Sequence, residues 1–189
     1  MNSTKLVFGL IIILFASCKS NSYYGAITYN EDKFTGTKEE MANYLVEVQN
    51  KTQFIKNASV FAGKDSKLRT TYLAANDVAS LMGDVLFDLS IVSTKSGMKL
   101  PRALDSDADR DYQFIEKQAG TDKFDLYYIN ESLRYLTDLE KMMKAYASGG
   151  KEEQGRSFSS KHLTEVNTSI TKLEKARDEV NANAPATSK

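Results

Sequence analysis

Cysteine and histidine each occur once in this chain of 189 residues, as Cys18 and His162. A lone cysteine excludes an internal disulfide, and one Cys with one His leaves too few thiolate or imidazole ligands for a zinc site. Proline is almost as scarce: of two in total, only Pro101 falls within the body of the chain, and Pro185 sits close to its end. Neither sign of charge is in excess, since 25 Lys and Arg oppose 25 Asp and Glu. Nucleic acid is therefore not an expected partner, because the cationic field that engages phosphate backbones is missing. The chain also contains no Gly-x-Ser-x-Gly, no Gly-rich phosphate loop and no Glu-x-x-His. The corresponding hydrolase, nucleotide and di-iron motifs are thus absent. What is present, 41% hydrophobic and 26% charged residues, suits one globular domain with a core.

The start of the chain reads as an export signal. Residues 6–15 form an unbroken run of ten that are apolar or Gly, after a short segment holding Lys5. As helix this run spans about 15 Å, roughly half of a hydrocarbon core of about 30 Å, so it is too short for an anchor that crosses the membrane. It ends in Phe15-Ala16-Ser17-Cys18, which resembles the lipobox of bacterial lipoproteins, with Phe15 where Leu is usual. The resemblance implies cleavage before Cys18 and acylation of both its thiol and its new amino terminus. Several acyl chains, at about 0.8 kcal/mol per buried methylene, hold far better than one. Residues 1–17 are then a lipoprotein signal peptide, and residues 18–36 are the lipidated Cys18 and a tether without sustained periodicity. The implied location is the bacterial cell envelope, at the periplasmic face of the outer membrane. The membrane, reached through Cys18, is the one partner assigned.

Residues 37–181 read as all-α, because apolar residues recur at steps of three and four. Thr37-Lys-Glu-Glu40 has the form of a capping box that opens a first long helix, which Gly63 closes. A second runs from about 65 to 96, with Leu68, Tyr72, Ala75, Ala79, Met82, Leu86 and Leu89 on its buried stripe. Gly83 inside it suggests a close helix crossing. Residues 100–120 form a crossing segment with a short helix opened by Ser106. A third long helix, capped by Thr121-Asp122, runs to about 147, and a fourth from about 156 to 181. Tyr and Met residues follow these stripes and belong to the core. Four such helices predict an antiparallel four-helix bundle, followed by a disordered tail over 182–189.

Three groups of side chains invite chemistry. Asp105, Asp107, Asp109 and Glu116 occupy the first, third, fifth and twelfth positions of a calcium loop, but Arg110 stands where that loop needs Gly. The preferred reading is an acidic first turn of a helix, favourable to its dipole. His162 lies at the edge of the last stripe, and reads as a partly buried or surface His rather than a ligand or catalytic base. Carboxylates turned inward, such as Asp84, Asp125 and Glu131, would together with His162 be the material for a metal site. The main reading assigns no metal, no cofactor and no catalytic residue.

From Gly97 onward the chain resembles the exported bacterial domain-of-unknown-function family 4142, whose fold is ferritin-like. The likeness rests on Met98-Lys-Leu-Pro101, on Asp122-Lys-Phe-Asp-Leu-Tyr127 and on Lys161-His162-Leu163. The histidines common on the second and third helices of that family are missing: Asp84 is followed by Val85, and residues 130–139 hold no His. The resemblance therefore implies a ferritin-like bundle and export rather than an inherited metal activity. The expected function is a lipid-anchored envelope protein acting by binding or structural support; the alternative is a ferritin-like metal-binding protein or oxidoreductase using carboxylates inside the bundle. Cys18→Ala should abolish partitioning into membranes while leaving helicity intact, and partitioning that persists in this variant would remove the anchor.

Overall fold

The computed structural model describes residues 22–183, and among them apolar residues spaced by three and four build six helices, with no strand. They are α1 (Tyr23–Lys33), α2 (Thr37–Asp65), α3 (Arg69–Ser96), α4 (Ser106–Lys117), α5 (Phe124–Gly149) and α6 (Glu153–Ala182). The signal peptide, Cys18 and nearly all of the tail read at 182–189 lie outside the described residues. Each of the four long helices packs against two others: α2 on α3 and α5, α6 on α5 and α3. One apolar core, from Met41 and Phe54 through Met82 and Leu89 to Leu136 and Leu173, joins them.

Side-chain pairs give the directions. Across α2 and α5, Ser59 meets Tyr128, Phe54 stacks on Tyr135 and Tyr44 stacks on Tyr146, so one number falls as the other rises. Across α3 and α6 the pairs Asp77 with Lys172, Asp88 with Lys161 and Ser96 with Gln154 run the same way. Both pairs of neighbours are antiparallel. α3 therefore ends level with the start of α2, whereas α5 starts level with the end of α2. The connection 97–123, which contains α4, has to travel the length of the molecule.

Residues 18–36 depart from expectation. The segment read as an irregular tether contains α1, an 11-residue helix. The Ser22 hydroxyl caps it by accepting from the Gly25 amide at 3.0 Å, and Tyr23, Ala26 and Asn30 are buried on one face. Tyr23, Ala26 and Val46 of α2 form a small apolar cluster of their own. The Asn30 amide donates to the Lys99 carbonyl at 2.9 Å, while its carbonyl accepts from the Lys99 amide at 2.8 Å. These contacts are with distant parts of the chain, so no local period announces them.

Smaller corrections have equally local causes. Thr37 does not cap α2: Gly36, at φ 61°, precedes the helix, and the Thr37 hydroxyl donates to Glu152 instead. Lys123 rather than Thr121-Asp122 precedes α5. Of the stripe expected on α3, Ala75, Met82 and Leu89 are buried, but Thr71, Ala74, Val78 and Val85 share the buried face and Tyr72 is 45% exposed. Gly83 marks no close crossing, since a Cβ there would meet only the Lys56 side chain, at 3.9 Å. Close approaches are found instead at Gly63, Gly150 and Gly155; at Gly155 a Cβ would stand 2.5 Å from the Tyr146 ring, itself stacked on Tyr44 at 3.9 Å. Gly155→Ala should cost about 1–3 kcal/mol through overpacking. Gly149→Ala, with open space around it, should be neutral or stabilising by up to about 1 kcal/mol. Thermal melts of the two variants check this contrast, and equal melting temperatures would contradict it.

Candidate functional site

Helical spacing aligns Asp88, Val92 and Lys95 on α3 opposite Gln154, Phe158, Lys161 and His162 on α6. Between them lies a groove of about 450 Å³, within the range of small-molecule sites. Ile91, Val92 and Phe158 supply its apolar wall, and Lys95, Glu153 and Ser157 complete it. A second hollow of about 390 Å³ shares Lys95, Glu153 and Gln154 with it and continues toward Met41 and Met98.

His162 is at the inner end of the groove, only 1% exposed. Its Nε2 is 3.0 Å from Asp88 Oδ2, and the same oxygen accepts from the Lys161 ammonium. Phe158 packs beside the imidazole, with ring centroids 4.8 Å apart. Nδ1 has no hydrogen-bond partner and stands 3.6 Å from Glu165 Oε1; the other oxygen of Glu165 is also buried without one. Two carboxylates thus flank one imidazole. Lys161 first, and His162 after it, hold the Asp88 carboxyl below the ordinary carboxylate range. Ser159, three residues ahead of His162, is not placed as a nucleophile: its hydroxyl donates to the Gly155 carbonyl and pairs with Tyr44.

The other side chains singled out in the sequence are dispersed. Asp84 is exposed on α3. Asp125, buried at the start of α5, accepts from the Ser66 hydroxyl. Glu131 pairs with Arg134 at 2.7 Å. With His162 these make four separate places, and among the described residues no group of three or more His, Cys, Asp and Glu side chains is positioned to hold a metal ion. The calcium-loop spacing dissolves into α4. Asp105 caps that helix by accepting from the Ala108 amide at 2.7 Å, and Asn50 bonds both its carboxylate and its amide. Asp107 pairs with Arg110, Asp109 accepts from Gln113, and Glu116, exposed, accepts from the Tyr112 hydroxyl.

Sequence reasoning found His162 but chose Asp84 over Asp88. Four residues advance a helix by about 400°, so the two carboxylates differ by only about 40° in direction. That rotation is enough to turn Asp88 toward α6. The available signal was a carboxylate beside Leu89 in the middle of an apolar stripe.

Comparisons with models of known families, with curated proteins and with solved structures find no match to this chain.

Asp88→Ala would leave the buried His162 Nε2 without its acceptor, at a cost of about 1–3 kcal/mol near neutral pH. Because the folded carboxyl sits below its ordinary range, its ion pair contributes fully above that range and is lost as pH falls through the folded value. The stability gap between native protein and variant should therefore narrow in acid. Denaturant titrations at neutral pH and near pH 2.5 measure it, and a gap that widens in acid would refute the assignment.

Proposed function

We propose that this chain is a lipid-anchored protein of the bacterial envelope, held through Cys18 at the periplasmic face of the outer membrane, and that it works by binding rather than by catalysis. In this reading the four long helices are a ferritin-like antiparallel bundle. Support comes from the order of directions and from the connection 97–123, since one long crossover is the mark of that topology. The groove between α3 and α6 is the recognition surface, for a small amphipathic ligand that carries an anionic group.

The observation that carries the ligand class is the pairing of an apolar wall with unequal charge along one groove. Phe158, Val92 and Ile91 offer contact to a hydrophobic body. Lys95 lies at the other end of the groove from His162 and forms no ion pair among the described residues. An anionic group near Lys95, turned away from Glu153, leaves the hydrophobic body against Phe158. The Asp88, Lys161 and His162 cluster then acts as a fixed end wall.

Titration with 8-anilinonaphthalene-1-sulfonate, an amphipathic anion, tests this. Ile91→Glu places a carboxylate in the groove, while Phe87→Glu alters an exposed ring on α3 that does not line it. Binding should weaken about tenfold or more in the first, equivalent to about 1.4 kcal/mol, and stay unchanged in the second. Equal effects of the two substitutions, or no binding by the native protein, would overturn the assignment of the groove.

A further inference from the structure

We infer that α1 is the face of the protein that rests on the lipid headgroups, and that the domain lies against the membrane instead of standing clear of it on a tether. This rests on the reading of Cys18 as the anchor, and adds to it which side of the protein meets the bilayer.

The geometry is restrictive. Four peptide links separate Cys18 from Ser22, the cap of α1, and at about 3.6 Å each they reach roughly 14 Å in any conformation. The start of α1 is pinned part-way along α2, because the Tyr23 hydroxyl donates to Glu47 and Ala26 packs with Val46. Glu47 is about 15 Å from the Thr37 end of α2 and about 27 Å from its Asp65 end, at about 1.5 Å per residue. An acylated Cys18 therefore cannot reach a bilayer that touches the Asp65 end. Nearest to residue 22 is α1 itself, which runs from there toward the Thr37 end of α2, where Lys33 donates to the Gly97 carbonyl at 2.9 Å.

The exposed side chains there suit a headgroup layer. Tyr24, in the first turn of α1, is 67% exposed, with an apolar ring and a polar hydroxyl that match the boundary between acyl chains and water. Farther along α1, Tyr29 is exposed, with the Lys99 and Lys33 ammonium groups 4.9 and 5.3 Å from its ring centroid. Lys33 is held by the Tyr29 hydroxyl and the Gly97 carbonyl, and Glu31 and Asp32 are also exposed on α1, so the contact is one of aromatic rings at the headgroup boundary rather than of free cations. The hollow near Met41 and Met98 opens at this same end.

The chain contains no Trp, so a single introduced Trp reports its own depth. Tyr24→Trp, Tyr29→Trp and Phe114→Trp each alter an exposed ring, the last on α4 toward the opposite end, beside Tyr127. Each full-length variant is expressed in a bacterium, extracted from its membranes, weighed by mass spectrometry and reconstituted in phosphatidylcholine vesicles brominated on the upper acyl chain. The expected result is a lipid mass on Cys18, with Trp quenching at positions 24 and 29 at least about twofold stronger than at 114. Lipid on Cys18 with equal quenching at all three positions would overturn the docking face and leave the anchor standing. An unmodified Cys18 would overturn the anchor, and the docking face with it.

Discussion

Burial of apolar stripes that no single helix can cover by itself governs the architecture. An isolated helix does not offset the conformational entropy of its ordered residues, so each of the four long helices is stable only against two neighbours. The stripes meet in antiparallel register, which places whole side chains opposite one another: Phe54 on Tyr135, Tyr44 on Tyr146. Polar atoms carried inside by this packing find partners along the same seams. The fully buried Tyr128 hydroxyl lies 2.9 Å from that of Ser59, and burial raises the Tyr128 pKa above its ordinary value.

The seam between α3 and α6 is built differently from that between α2 and α5. Aromatic rings close the second, whereas ion pairs and hydrogen bonds to long side chains span the first, through Asp77 with Lys172, Asp88 with Lys161 and Ser96 with Gln154. Long polar side chains join helices at their rims without filling the space between them, so a groove remains beside Phe158. His162 is buried in this seam, with Asp88 of α3 on one side of its ring and Glu165 of α6 on the other.

Docking of α1 alters the relation of the domain to the start of the chain. A segment free to swing would leave the orientation of the groove open. A helix clamped by Asn30 on the Lys99 backbone instead gives residue 22 a fixed position on the molecule. Whatever precedes it leaves the surface from one defined place, on the side that also carries Lys33 and Lys99.

Much of the fold was legible because periodicity is a local property. The long helices follow from the spacing of apolar residues, and the short helix near Ser106, with its Asp105 cap and its acidic first turn at Asp107 and Asp109, follows from capping chemistry that a few neighbouring residues decide. His162 was visible as the only His. The pairing of that His with Asp88 was not, since 74 positions separate the two residues and the position of Asp88 beside Leu89 does not say which helix it faces. α1 was invisible for the same reason, its stability coming from Val46 and Lys99 rather than from its own residues. Sequence by itself determined which stretches coil and which faces are greasy, because each residue carries its own propensity and polarity. Which carboxylate meets the imidazole, where a groove stays open and which surface lies nearest residue 22 were decided only by tertiary structure, because those are relations between helices that depend on rotation and register.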